Sequence, residues 1–134
     1  MIESRAINRY IPSSPRKMRL VIDLIRSKPV DQALTILHFS PNHAARIAEK
    51  VVRSAVANLH NTDEGARIET SELYVKEVFV NGGPGMKRVS AAPMGRAFRI
   101  VKRSNHLTII IAEIPKKVKH AAPKPKATET AEKK

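Results

Sequence analysis

The stretch VNGGPGMKRVSAAPMGRAFRIVKRSNHLTIIIA, residues 80–112, decides the fold. It carries six basic side chains (Lys87, Arg88, Arg96, Arg99, Lys102 and Arg103) and no Asp or Glu. Residues 97–111 are rich in branched and aromatic side chains, as is Leu73-Tyr74-Val75-Lys76-Glu77-Val78-Phe79-Val80 before them, and a Gly/Pro-rich segment at 81–95 lies between. Two β-rich runs around such a segment predict a long hairpin. At ~3.3 Å per residue the second strand would extend roughly 50 Å, whereas a domain of this size has a radius of gyration of about 13 Å. One end of the hairpin must therefore project. Leu107, Ile109, Ile110 and Ile111 are apolar whichever way they point and belong inside. Arg99, Lys102 and Arg103 could not be buried together without counter-charge, so the basic end is the one that projects.

The turn is less directly encoded. Asn81-Gly82 is a strong two-residue hairpin signal, but it would pair Val78 and Val80 with a segment containing Pro84, Gly85 and soon Pro93, a poor ladder. A wider loop near 90–94 at the tip, with an irregular stretch at 82–85, is the expected arrangement. The projecting arm is thus placed at about 80–103.

Upstream, residues 1–11 alternate in part, with Arg5, Ile7, Arg9 and Ile11 on one side and Ala6, Asn8 and Tyr10 on the other, and a short strand is expected before Pro12. Ser14-Pro15 reads as an N-cap followed by proline at the first helical position. A helix over 15–27 would bury Met18, Val21, Ile22 and Ile25, with Leu20 and Leu24 widening the stripe and Arg16, Arg19, Asp23 and Arg26 opposite. A second helix after Pro29 buries Val30, Ala33, Leu34 and Leu37. A third, following Ser40-Pro41 and reaching His60, buries Ala44, Ala48, Val51, Val52, Ala55 and Leu59. Its many alanines let a neighbour approach closely. The fold class is α+β, a small three-helix domain packed on an antiparallel sheet with a long protruding β-hairpin. Residues 1–114 form this single globular domain with its arm. Residues 115–134, Lys/Ala/Pro/Thr/Glu-rich with little apolar bulk, are expected to be a disordered basic tail.

Charge is partitioned along the chain. Of the formal net +13, residues 1–28 contribute +5, 29–79 contribute −2, 80–112 contribute +6 and 113–134 contribute +4. A chain made basic for solubility alone would not leave its middle slightly acidic while loading both flanks. Complete exclusion of carboxylates over 80–112 implies that another molecule supplies the negative charge, and nucleic acid is the natural source. With only 4% aromatic residues, the composition fits contacts to the phosphate backbone better than a platform for stacked single strands.

Enzymatic chemistry finds no support. The five histidines (His38, His43, His60, His106 and His120) have no ligand-like spacing, and Asp63-Glu64 and Glu69/Glu72 read as solvated loop charge. Gly82-Gly83-Pro84-Gly85 lacks the following helix and Gly-Lys-Ser/Thr ending of a nucleotide cradle. No cofactor or metal is expected. Cysteine is absent, which fits a reducing compartment. The first residues lack a secretory apolar stretch, and no apolar run approaches the roughly 20 residues needed to span a bilayer, so a cytoplasmic location without membrane contact is expected.

Several motifs occur in a familiar order: Ser14-Pro15-Arg16-Lys17-Met18-Arg19-Leu20-Val21 with Asp23-Leu24-Ile25-Arg26, Ser54-Ala55-Val56-Ala57-Asn58, Gly83-Pro84 with Lys87-Arg88, Gly95-Arg96-Ala97, and Lys102-Arg103 before His106-Leu107-Thr108. From Ile7 to about Glu113 the chain resembles the bacterial-type large-subunit ribosomal protein twenty-two family. The resemblance implies a structural constituent of the large ribosomal subunit, located in the cytoplasm, that binds and braces large-subunit rRNA. Its hairpin tip would form part of the wall of the nascent-peptide exit tunnel. The implied partners are rRNA, neighbouring ribosomal proteins and the nascent peptide, with no homo-oligomer.

Arg5, Arg9, Arg16, Lys17, Arg19, Lys87, Arg88, Arg96, Arg99, Lys102, Arg103 and His106 are the expected rRNA contacts. Val89, Ser90, Ala91, Ala92, Pro93 and Met94 form the expected tunnel-lining tip. That tip departs from the family pattern: Ala91-Ala92-Pro93-Met94 stands where further Arg or Lys is common, and Asn81-Gly82 where an acidic pair is common. A less charged tip implies weaker interaction with acidic nascent chains. The alternative reading is an architectural DNA-binding protein with a basic β-arm, although such arms usually work in symmetric dimers and no dimer-forming coiled-coil seam is present.

Overall fold

Strand propensity, proline placement and helical spacing divide the chain much as the sequence predicts. The computed structural model describes residues 2–62 and 65–114; the expected basic tail, 115–134, lies outside the described residues. Strand β1 (Glu3–Ile11) leads through Pro12 to helix α1 (Pro15–Ile22), followed by α2 (Val30–Phe39) and α3 (His43–His60). Then come β2 (Leu73–Gly82), β3 (Met86–Ala91), β4 (Ala97–Lys102) and β5 (Asn105–Glu113). β1, β5 and β2 form an antiparallel sheet in the order β1-β5-β2, and β3 and β4 pair only with each other. The architecture is α+β, three helices on a three-stranded antiparallel sheet with a hairpin extending from it.

The core lies between helices and sheet. Met18, Val21, Ile22 and Ile25 from the α1 region, Val30, Ala33 and Leu37 from α2, and Ala44, Ala45, Ala48, Val52, Ala55 and Leu59 from α3 meet Val75 and Val78 of β2 and Leu107, Ile109 and Ile111 of β5. Leu34 packs against this core half-buried. Small side chains on α3 let it lie close to β1, where Ser4 Oγ donates to the Ala55 carbonyl across 2.9 Å. Gly65 is fixed by similar crowding: a Cβ there would stand 2.1 Å from the Leu59 carbonyl oxygen.

Three expectations need correction. Helix α1 ends at Ile22, continues as turns closed by Leu24 N–H to Val21 O and Ile25 N–H to Ile22 O, and reverses at Ser27 with φ 58°. The tightened turn still seats Ile25 in the core but rotates Leu24 outward, and Leu20 is 66% exposed. The apolar stripe is thus narrower than predicted. In β1, the pairing with β5 shifts register between Asn8 and Ile11, and Tyr10 adopts φ 58°. That shift carries Ile11 to the buried side, away from Arg5, Ile7 and Arg9. Finally, the second hairpin strand is not continuous. It breaks at Arg103-Ser104 into β4 and β5, opposite the irregular 83–85 on the other side.

Asn81-Gly82 does not turn the chain. These two residues pair with His106 and Asn105 in the body sheet, so the part of the hairpin outside that sheet begins at Gly83.

Candidate nucleic-acid interface

Beyond the break, β3 and β4 run side by side with Lys87 opposite Val101, Arg88 opposite Ile100, Val89 opposite Arg99 and Met86 opposite Lys102. Directly opposed residues share a face, and faces alternate along a strand. One face therefore carries Lys87 and Arg99 with Val89 and Val101. The other carries Arg88 and Lys102 with Met86, Phe98 and Ile100. Each of these cations sits across from an apolar residue, which avoids the repulsion of like charges placed directly opposite. Neither face is purely apolar, so neither is a hidden core face. All six β4 residues are exposed. Even Val89 is 78% exposed.

The tip closes tightly. Ala92 N–H donates to the Arg96 carbonyl at 3.0 Å around a tight turn at Pro93–Gly95, with Met94 at φ 60° and Gly95 at φ 68°. The expected loop at 90–94 is thus displaced: Val89, Ser90 and Ala91 belong to β3, while Ala92, Pro93 and Met94 form the turn. Met94 is the most exposed large apolar side chain among the described residues, at 92%.

At the other end, the arm is fixed to the body by three consecutive polar residues. The Ser104 carbonyl accepts from the Gly83 N–H (2.9 Å), and its Oγ donates to the Pro84 carbonyl (2.6 Å). Asn105 is fully buried, and its Nδ2 donates to both the carbonyl and the Oγ of Ser13, each at 2.8 Å. His106 Nδ1 accepts from the Tyr10 N–H at 3.0 Å, and the two rings meet edge to face with centroids 4.9 Å apart. This contact fits the neutral tautomer with its proton on Nε2. A Cβ at position 83 would stand 2.5 Å from Ser104 Oγ and 3.2 Å from the His106 ring, so any side chain there would displace Ser104 Oγ from its bond to Pro84.

The junction places Lys17 of α1 in one groove of about 880 Å³ with Lys102 and Arg103 at the arm root. A smaller hollow of about 260 Å³ joins Pro15 to Lys87 and Arg103. Arg16 and Arg19 are also exposed on α1, and Arg19 Nη2 donates to the Val80 carbonyl at 3.2 Å, tying α1 to β2. Arg5 and Arg9 are exposed along β1, and Arg88, Arg96 and Arg99 stand further out on the arm. The two hollows at the arm root thus bring together Lys17, Lys87, Lys102 and Arg103. Sequence reasoning missed Tyr10, Ser13, Ser104 and Asn105 as parts of this junction. A pair of small polar residues between the basic run and the apolar strand was the available signal.

The body treats its charges differently. Glu49 receives Arg53 at 2.6 Å and lies 3.7 Å from His38, Asp23 receives Arg26 at 2.9 Å, and Glu3 receives Lys76. The hydrogen bond from Lys76 to Glu3 raises the Lys76 pKa above its ordinary 10.5. Among the described residues, none of the expected RNA-contacting arginines and lysines is in an ion pair, and no cluster of three or more His, Cys, Asp or Glu could hold a metal ion. Nor is any described helix long and apolar enough to cross a membrane.

The sequence of this chain is similar to those of known proteins. The chain is 50% identical over 117 residues to the large ribosomal subunit protein uL22 of Chlorobaculum tepidum, covering 87% of this chain and 98% of that protein. It is 51% identical over 113 residues to the protein of the same description from Pelodictyon phaeoclathratiforme, covering 84% and 95%. With that of Caldicellulosiruptor saccharolyticus it shares 46% over 111 residues, covering 83% and 88%. The family model described as ribosomal protein L22p/L17e matches residues 6–112, the whole of body and arm from Ala6 through β4 and nearly to the end of β5. The chain belongs to the ribosomal protein L22p/L17e family.

Proposed function

We propose that this chain, a structural constituent of the large ribosomal subunit in the cytoplasm, braces folded rRNA with its arm and with the basic face of α1. Its partners are rRNA and other ribosomal proteins, and it is not an enzyme. The observation that carries the bracing role is the make-up of β3–β4, with cations and apolar groups on both faces and no carboxylate. A partner that supplies negative charge on both sides of a hairpin is one that surrounds it, as folded RNA does. Family membership removes the ground for the architectural DNA-binding alternative.

Arg5, Arg9, Arg16, Lys17, Arg19, Lys87, Arg88, Arg96, Arg99, Lys102 and Arg103 are the phosphate contacts in this reading. His106, whose Nδ1 is occupied by Tyr10, has only Nε2 left to offer. Residues 1–114 act as one unit and a single copy suffices. The tip from Val89 to Met94 lines the nascent-peptide exit tunnel and meets the emerging chain with an uncharged turn.

The test is the salt dependence of binding to an rRNA fragment. Replacing Lys87, Arg88, Arg96 and Arg99 together by Ala should flatten the slope of log affinity against log salt by about four units, roughly one for each phosphate no longer neutralised. Replacing Lys116, Lys117, Lys124 and Lys126, which lie outside the arm in sequence, should change it less. Equal slopes for the two quadruple variants would mean that net charge alone drives binding, and the arm would lose its role as a shaped element.

A further inference from the structure

Tyr10 is unusual on two counts. It is a bulky residue in the left-handed region at φ 58°, a conformation that costs a side-chain-bearing residue energy and persists only where its surroundings enforce it. It also leaves 65% of its surface exposed, although this chain has just two tyrosines, three phenylalanines and no tryptophan. The surroundings that enforce the conformation are the bond from Tyr10 N–H to His106 Nδ1 and the edge contact between the rings. Both act to hold the side chain at one place, the wall of the groove at the arm root.

That groove is amphipathic. Met86 and Val101, 53% and 43% exposed, give it an apolar side, while Lys17, Lys102 and Arg103 supply cations, and no carboxylate lines it. Inorganic phosphate would need the cations but not an apolar wall with an aromatic ring. A nucleotide has both parts, a flat base with a π-face and an anionic backbone, and stacking on an aromatic side chain is how unpaired RNA bases are commonly held.

We propose that this groove takes one unstacked nucleobase of the rRNA, with the Tyr10 ring as its stacking surface and Lys17, Lys102 and Arg103 on the flanking phosphates. The inference rests on the rRNA-binding reading and adds a base contact to a protein otherwise fitted to the phosphate backbone.

The experiment compares two probes of equal phosphate number: octauridylate, whose bases are largely unstacked in solution, and an octamer of abasic units. Affinities of the full chain are measured over a salt series. The full chain should bind octauridylate more tightly than the abasic octamer, and the preference should persist at raised salt, where phosphate contributions fall. Tyr10→Ala should weaken octauridylate binding by about 5- to 150-fold, the range for losing one stacked base, and leave abasic binding unchanged. Tyr10→Phe should keep the preference. Tyr10→Leu, which fills similar space without a π-face, should lose it, and covers the case in which the alanine variant does not fold. Equal binding of both probes by the parent chain would overturn the base site and leave the phosphate reading intact. An equal drop on both probes for Tyr10→Ala and Tyr10→Leu would overturn it too, by showing that the ring only props the arm. No measurable binding of either probe would likewise overturn the base site, whereas the rRNA-binding reading fails only if the rRNA fragment itself shows no salt-dependent binding.

Discussion

Strands β4 and β5 are separated by only Arg103 and Ser104, yet every residue of β4 is exposed whereas Leu107, Thr108, Ile109, Ile111 and Ala112 of β5 are buried. Both strands carry branched apolar side chains, so hydrophobicity alone does not separate them. What differs is the company each keeps. β5 lies between two other strands and beneath the helices, while β4 has one neighbour and no cover. An isolated two-stranded hairpin is marginally stable in water. The body thus supplies its own stability, and the arm is shaped for stability that comes from outside.

The sharpest way to break this contrast is to truncate matched residues on its two sides. Ile109→Ala, which empties a fully buried position, should destabilise the body by about 2–5 kcal/mol in chemical denaturation. Ile100→Ala on the arm should stay within about 0.5 kcal/mol, as for an ordinary surface position. Equal losses would mean that the arm shares the core.

Between these extremes lies the junction. Asn105→Ala deletes two hydrogen bonds to Ser13 made by a fully buried side chain and, at roughly 0.5–1.5 kcal/mol for each bond, should cost about 1–3 kcal/mol of stability. Replacing residues 86–102 by a short turn should change less. Cooperative thermal unfolding should survive, with the midpoint moved by less than about 4 °C, the shift produced by roughly 1 kcal/mol in a domain of this size. A non-cooperative melt would show that the body depends on its arm.

The smallest effect concerns the Lys76–Glu3 pair on the exposed part of the body sheet. Glu3 raises the Lys76 pKa, so the folded state holds this proton more tightly than the unfolded chain. The resulting stability is present at neutral pH and is lost as pH rises above 10.5, through the folded-state value. Lys76→Gln should therefore lower the melting temperature slightly at pH 7, and the difference from the parent should vanish in alkaline buffer. A difference that grew with pH would have the wrong sign for this ion pair.

Much of this was legible in the sequence because it rests on period and charge. The 3,4-spacing of Met18, Val21, Ile22 and Ile25, the alanine face of α3 and the carboxylate-free run at 80–112 each report a local chemical preference that the tertiary structure respects. The misses share a different cause. Leu20 and Leu24 fit the helical stripe, but the tightened turn after Ile22 rotates Leu24 out and the core never reaches Leu20, and nothing in their own chemistry marks where α1 ends. The shift of Ile11 to the buried side and the break at Arg103-Ser104 depend on bonds between segments far apart in sequence, Tyr10 to His106 and Gly83 to Ser104. Such pairings follow from the assembled sheet. For the same reason the cations could be named from sequence, but their grouping around Lys17 could not.

The full exposure of β4 also bears on how this protein can change over generations. A substitution in β5 is judged twice, once by folding and again by whatever the ribosome requires. One in β4 or at Met94 escapes the first judgement, because none of these side chains is part of the core. Drift in the arm is then limited by the surface it meets and by the positive φ angles that close its turn at Met94 and Gly95, while the body that carries it is not endangered.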